Sequence, residues 1–217
     1  MKKKFEFSEE DKAIVKEAVQ SLEKESSGEM VVYFARSSDD YIMACWKIAT
    51  ILGLIVASLF GVLSWQWLLP ADITILYISL GVVASIAFGF FIPFFIPIVR
   101  LGFISESIVT HRVLTKARDI FLQEQVFDTV DRTGVLIYIS ELEHQVQVIG
   151  DEGINEKINQ SDWDEVVSLV VNGIKTNQTA QGIAAAVLKC KDLLLENGFV
   201  VREDDTNELS DDIRIED

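Results

Sequence analysis

The sequence predicts an α/β domain interrupted by a transmembrane α-helical hairpin. Three observations carry this. Residues 48–99 hold a single charged side chain, Asp72, in a chain of 217 residues whose formal net charge is −15. Strand-like apolar runs lie on both sides of that stretch, at 29–35 and 135–149. Neither flank offers enough strands to satisfy its own backbone donors and acceptors, so the two flanks must share one sheet.

In chain order, Met1 to Lys12 reads MKKKFEFSEEDK, where charge follows the positive start and no apolar run develops, so no cleaved signal peptide is predicted there. Ser8 is placed to cap a helix with acids in its first turn. Ile14, Val15, Ala18, Val19 and Leu22 mark that helix's buried face. Ser26-Ser27-Gly28 ends it. Glu29–Ala35 is apolar on both faces and is expected to be a central strand. Residues 1–41 thus form the first part of the domain.

Residues 46–69 and 73–99 are each long enough as helices to exceed the roughly 30 Å hydrocarbon core of a bilayer. Pro70-Ala71-Asp72 supplies the turn: proline stops the first helix and aspartate caps the second. Trp65 and Trp67 beside the turn, and Trp46 at the other end, sit where indole rings favour the membrane interface. A short turn makes the spans antiparallel, which puts Lys47 and Arg100 on one side together with Arg36, Arg112, Lys116 and Arg118. The positive-inside rule then places both termini in the cytoplasm of a two-span integral membrane protein of the inner or plasma membrane. Ala49, Gly53, Ala57 and Gly61 recur every four residues, as do Gly81, Ser85 and Gly89, so small residues form a stripe on each helix. The stripes are expected to face each other, with a homodimer through one of them as the rival arrangement. No acid–base pair lies within the spans, which argues against a proton or ion pathway.

Residues 100–200 form the second part of the domain. A helix is expected over 105–129, then strands at 135–140 and 145–149 joined by the short link Glu141-Leu142-Glu143-His144. Further helices are expected at 163–172, with Asp162 as cap, and 179–197, with Gly198 as the C-terminal glycine. The acidic tail, 201–217, has no period and is expected to lack regular structure.

Charge excludes one class of function. Apart from Lys2-Lys3-Lys4 no basic cluster exists, so nucleic acid is not a predicted partner. The partners predicted are the lipid bilayer and a protein at the membrane. Cys45 and Cys190 form neither a disulfide framework nor a metal motif. Asp151 and Glu152 leave a strand end beside a glycine, Asp131 precedes the neighbouring strand, and Asp39-Asp40 follow the first strand. Asp131, Asp151 and Glu152 are therefore the candidate ligands for a hard cation, Ca2+ or Mg2+, which takes oxygen donors. Turn and capping roles account for the same residues. Phosphatase chemistry would further need a nucleophile or metal-activated water and a cation for the phosphate, for which Arg132 is the nearest side chain.

Several segments, taken together, are familiar. Val109-Thr110-His111-Arg112-Val113, Arg132-Thr133-Gly134-Val135-Leu136-Ile137 and Val148-Ile149-Gly150-Asp151-Glu152-Gly153-Ile154 resemble the TPM domain family of thylakoid acid-phosphatase-like proteins, as do Trp163, Gly182 and Asn207-Glu208-Leu209. The similarity is to its bacterial branch of membrane proteins with two spans inside the domain. The resemblance implies an α/β/α sandwich with a small central sheet. It further implies either an interaction or accessory role at the membrane or metal-dependent acid phosphatase activity, with a divalent cation in an acidic cleft. The common family pattern has glycine-aromatic-glycine where this chain has Asp151-Glu152-Gly153, so a cation site would be built differently here. Better-known members place the domain outside the cytoplasm, contrary to the charge rule.

Overall fold

The computed structural model describes residues 6–68, 75–201 and 207–216. In chain order the elements are α1 (Glu9–Glu23), β1 (Glu29–Ala35), α2 (Ile42–Trp65), α3 (Ile75–Phe95), α4 (Pro97–Leu101), α5 (Glu106–Gln123), β2 (Gly134–Ser140) and β3 (Gln145–Gly150). These are followed by α6 (Glu152–Asn155), a 3-10 turn (Gln160–Trp163), α7 (Asp164–Lys175), α8 (Thr179–Glu196) and β4 (Arg214–Glu216). The chain divides into two compact units, one from Met1–Ser38 with Arg112–Asp217, the other Asp39–His111.

The first unit is a mixed α/β domain. Among the described residues its sheet has four strands in the order β3-β2-β1-β4. β1 runs parallel to β2, from Glu29 opposite Gly134 to Ala35 opposite Ser140. β2 and β3 form the expected antiparallel hairpin. β1 is central, as its two apolar faces require, because β4 lies along its other edge through Tyr33 to Ala35. That strand corrects one expectation: within the acidic tail, Arg214–Glu216 is regular structure and adds the fourth strand of the sheet.

Alternation sorts the strands' side chains onto two faces. Met30, Val32, Phe34, Val135, Ile137 and Ile139 enter a core with α1, α7 and α8, where Leu22, Val170, Ile183 and Leu194 are fully buried. Val31, Leu136 and Tyr138 are buried on the opposite face. There α5 contributes a buried stripe, Val113, Ala117 and Ile120. It is tied to β4 by Lys116 with Glu216 at 2.9 Å, and Glu124 just beyond its last turn meets Arg214 at 3.0 Å. This is the sandwich the family resemblance implied.

Local chemistry sets the helix ends. Ser8 Oγ accepts from Asp11 N at 3.1 Å while the Asp11 carboxylate accepts from Ser8 N at 3.0 Å, a reciprocal cap. Asp162 does not cap α7. It belongs to the preceding 3-10 turn, where its carboxylate accepts from Asn159 N at 2.9 Å. Gly198 has φ +80 just past α8, a left-handed position that glycine adopts without strain. Gly182 marks the crossing of α7 and α8: a Cβ there would lie 2.6 Å from the Gly173 Cα, so the two backbones touch.

The second unit is built on α2 and α3, which pack against each other. They run antiparallel, since Gly53 meets Ile86, Gly89 meets Ala49 and Gly81 meets Phe60. The close approach is at Ala49 and Gly89, where an added Cβ on Gly89 would lie 2.9 Å from the Ala49 Cα. Ala57 and Gly61 are exposed, and nothing lies within 4 Å of a Cβ built on Gly61. Ser85 returns its hydroxyl to Val82 O at 2.7 Å. Trp46 meets Phe90 at a tilt, with ring centroids 4.8 Å apart, whereas Trp65 and Trp67 are almost fully exposed. The turn Pro70-Ala71-Asp72 lies outside the described residues.

Proline ends α3 before the apolar run does. Pro97 has no N–H to give the Pro93 carbonyl, and the helix breaks at Ile96. Arg100 repairs the break. Its Nε donates to Pro93 O at 2.8 Å, one terminal nitrogen donates to Phe94 O at 2.5 Å and the other to Asp40 O. Lys47 donates to Phe103 O at 3.0 Å. The two cations that the sequence puts at one end of the hairpin thus also cap its orphaned carbonyls.

Candidate functional site

In the α/β unit, β1 and β2 begin and β3 ends at the same edge of the sheet, as the pairings Glu29–Gly134 and Val135–Gly150 require. Three loops meet there: the one before β1, the one before β2 and the turn from β3 into α6. With the segment after α8 they enclose a cleft of about 320 Å³ lined by Ser27, Asp131, Thr133, Glu156, Lys157 and Phe199, among others.

The loop before β2 is closely held. Thr133 N donates to Thr129 Oγ1 at 2.9 Å, and Thr133 Oγ1 donates to Ser27 O at 2.7 Å. Gly153 N donates to Arg132 O at 3.0 Å, and a Cβ on Gly153 would sit 2.6 Å from Asp131 O. Glycine is required at 153 because the two loops touch backbone to backbone. Arg132 itself has φ +57, a left-handed conformation that a long side chain adopts at a cost. That turn swings its guanidinium back onto Asp151, which it grips with two hydrogen bonds, Nε to Oδ2 at 2.7 Å and a terminal nitrogen to Oδ1 at 3.0 Å. Asp151 raises the pKa of the Arg132 guanidinium, first through these hydrogen bonds and then through its charge. The guanidinium also lies over the Phe127 ring, 5.8 Å from its centroid.

The sequence-predicted acids therefore have separate places. Asp131 lines the cleft. Asp151 is buried, 5 % exposed, and its carboxylate is taken up by Arg132. Glu152 is exposed in the first turn of α6. Asp39-Asp40 do not join them, because β1 runs parallel to β2 and the chain leaves β1 at the other edge of the sheet. Among the described residues no group of three or more His, Cys, Asp or Glu side chains is placed to hold a metal ion. Sequence reasoning missed Glu156, Lys157 and Phe199, which lie on the cleft wall with Lys157 Nζ 4.3 Å from the Phe199 ring centroid. No local pattern marks them, since α6 is too short to show a period.

At the opposite edge a chain of hydrogen bonds closes on itself. The Tyr138 and Ser38 hydroxyls are 3.0 Å apart, Ser38 Oγ donates to Ser140 Oγ at 3.0 Å, and Ser140 Oγ donates to the Glu143 carboxylate. Glu143 also accepts from Ser38 N at 2.8 Å. Burial pushes the Tyr138 phenol up to about 12. The two cysteines are buried, and burial raises the Cys190 thiol well above its ordinary range, which removes it as a nucleophile. His144 is exposed in the hairpin turn, with φ +53.

The Arg132–Asp151 pair sets an asymmetry that can be measured. Removing Arg132 leaves a buried carboxylate without its partner, whereas removing the carboxylate leaves a half-exposed guanidinium that water can solvate. Arg132→Met is expected to lower the melting temperature more than Asp151→Asn, read by circular dichroism at pH 7. The reverse order would mean that the pair does not hold this edge together.

These features define a class: an α/β domain whose strands lie on both sides of an inserted apolar hairpin, with loops gathered at one sheet edge. Residues 107–193 match the family model of the TPM domain. That span holds the Val109–Val113, Arg132–Ile137 and Val148–Ile154 segments on which the resemblance rests. Among solved structures it is similar over 100 % of both chains to the BA42 protein of the psychrophilic bacterium Bizionia argentinensis, determined by NMR, with a TM-score of 0.59 and 19 % identity. At that identity the likeness concerns the fold. No curated protein matches the chain.

Proposed function

We propose that this chain is a membrane-anchored TPM-domain protein whose α/β unit acts as an interaction or accessory module at the membrane surface. One observation supports the anchoring above all. α2 and α3, of 24 and 21 residues, are long and apolar enough to cross a bilayer, yet 11 % and 6 % of their most apolar stretches are buried inside the protein. A soluble core helix would be mostly buried. Leu54, Ile55, Val83 and Phe88 instead stand more than half exposed, an apolar surface that lipid covers at no cost. With Lys47 and Arg100 at one end of the hairpin, both termini are assigned to the cytoplasm.

The protein is expected to remain in the membrane pellet after alkaline carbonate extraction, and protease is expected to digest the α/β unit in inverted vesicles but not in right-side-out ones. Release by carbonate would end the anchoring proposal. Digestion in right-side-out vesicles would reverse the orientation.

A second reading, metal-dependent phosphatase, draws on the matched family, whose name carries the word phosphatase; the metal dependence is what the sequence resemblance implies. Asp131 and Glu156 would offer oxygen ligands to Ca2+ or Mg2+ at the cleft, and Lys157 a charge for a phosphate. Asp151 could join them only after leaving Arg132. The full chain in detergent should be assayed for phosphomonoester hydrolysis with and without each cation. Turnover that disappears in Asp131→Ala with the melting temperature unchanged supports the enzyme. An inert protein that co-purifies with a membrane partner supports the module.

A further inference from the structure

The C-terminal segment 207–216 lies as a strap against α1 and β1, and its contacts reach the cleft. Lys16 pairs with Asp212 at 2.9 Å, and Gln20 Nε2 donates to Asp211 Oδ2 at 2.8 Å. The Asn207 amide donates to two carboxylates at once, Glu23 Oε2 at 2.9 Å and Asp211 Oδ1 at 2.6 Å. Leu209 N donates to Glu29 Oε2 at 3.2 Å. Between Asn207 and Leu209, the Glu208 carboxylate accepts from Val130 N at 3.3 and 3.1 Å, and Val130 precedes Asp131 and Arg132 in the cleft loop. The strap therefore holds both α1 and the loop that forms one wall of the cleft.

Its junction with α1 concentrates acid. Glu23 from α1 and Asp211 from the strap are bridged by the one Asn207 amide, and Glu29 from β1 takes the N–H of Leu209 beside them. Carboxylates held this close repel one another unless one of them carries a proton. Lys24 lines the adjoining cavity of about 350 Å³ with Gln20, Glu23, Asn207 and Asp211, and Lys16 acts on Asp211 from the far side while paired to Asp212. We propose that the strap is a proton-held clamp: a proton on the clustered Glu23–Asp211 pair keeps 207–216 closed on α1, and its loss releases the strap and, through Glu208, loosens the cleft loop.

The electrostatics assign the proton to Glu23. Burial, and then the charges of Glu29 and Asp211, push it from its ordinary 4.5 to about 8. Burial also raises Asp211, but hydrogen bonds from Asn207 and Gln20 and the charge of Lys16 outweigh it and leave that carboxyl below its ordinary value. A carboxyl raised in the closed state stabilises closure fully below its open-state value and loses that contribution as pH rises through its closed-state value. The clamp is thus tightest below about pH 4.5 and opens progressively up to about pH 8.

The test is hydrogen exchange by mass spectrometry on the full chain in detergent, corrected for chemical exchange, at pH 5.5 and 8. The opening constant of peptides covering 207–216 and 127–133 is expected to rise by roughly tenfold or more over that range, one titrating proton giving at most about tenfold per unit. Glu23→Gln, which keeps the donor and removes the titration, is expected to hold both segments closed with little change between the two pH values. Asp211→Asn should flatten the profile in the same way by a separate route. Wild-type exchange independent of pH, or variants that keep the wild-type slope, would overturn the clamp. A strap that opens while 127–133 stays protected would overturn its link to the cleft.

Discussion

Replacing Gly134 by alanine is expected to cost at least about 3 kcal/mol of folding stability, the upper range for forcing atoms into a filled core. Gly134 opens β2 opposite Glu29 and is buried. A Cβ built there would lie 1.8 Å from the Val126 carbonyl oxygen and 2.9 Å from its carbonyl carbon. That neighbour is backbone, so no rotamer change can clear the space. Either β2 or the end of the α5 connection must move, and β2 pairs with strands on both sides. For a chain of this size about 3 kcal/mol corresponds to a fall of roughly 6–12 °C in melting temperature. Gly61→Ala is the matched control, because it adds the same methyl to a helix where nothing lies within 4 Å. Equal losses for the two variants, followed by circular dichroism in detergent, would show that crowding at β2 is not what the glycine relieves.

Much of this fold was legible because its signals are periodic and local. The apolar hairpin announces itself by length and absence of charge, α1 by Ser8 and its 3.6-residue stripe, and β2–β3 by alternation across a short link. β4 was not legible. Arg214-Ile215-Glu216 has one apolar residue between two charges, and it becomes a strand because the exposed edge of β1 offers it a partner. The two charges are then spent on Glu124 at one side and on Lys116 and Tyr33 at the other.

The candidate site divides along the same line. Turn chemistry located the loops at Asp131 and at Asp151-Glu152-Gly153. It could not reveal that Arg132 adopts a left-handed backbone and captures Asp151, since that depends on the close approach of Gly153. Grouping Asp39-Asp40 with those acids failed for a topological reason. Residue pattern identifies a strand but not its direction of pairing, and a parallel β1 sends its following loop to the other edge.

Excising residues 39–105 and closing the gap with about ten glycine and serine residues is expected to leave a water-soluble folded domain. The strands that pair, β1, β2, β3 and β4, all lie outside the excised segment, and so do α1, α7 and α8, which fill the main core. Unit boundaries at Ser38 and Arg112 leave the internal packing of the α/β unit with the retained residues. The connection from β1 to β2 survives through the rest of α5, whose Val113, Ala117 and Ile120 stay buried. Closing a flexible loop costs only about 0.6 kcal/mol for each doubling of its length, so a shorter connection adds no large penalty. Removing α2 and α3 meanwhile deletes the exposed Leu, Ile, Val and Phe side chains of the two helices that are long and apolar enough to cross a bilayer. The excised protein is expected to stay in the supernatant after ultracentrifugation, to melt cooperatively and to retain exchange protection in β1 and β2. A soluble chain without that protection would mean that the hairpin is needed to bring the two flanks together. An aggregated one would mean that the α/β unit conceals apolar surface the hairpin normally covers.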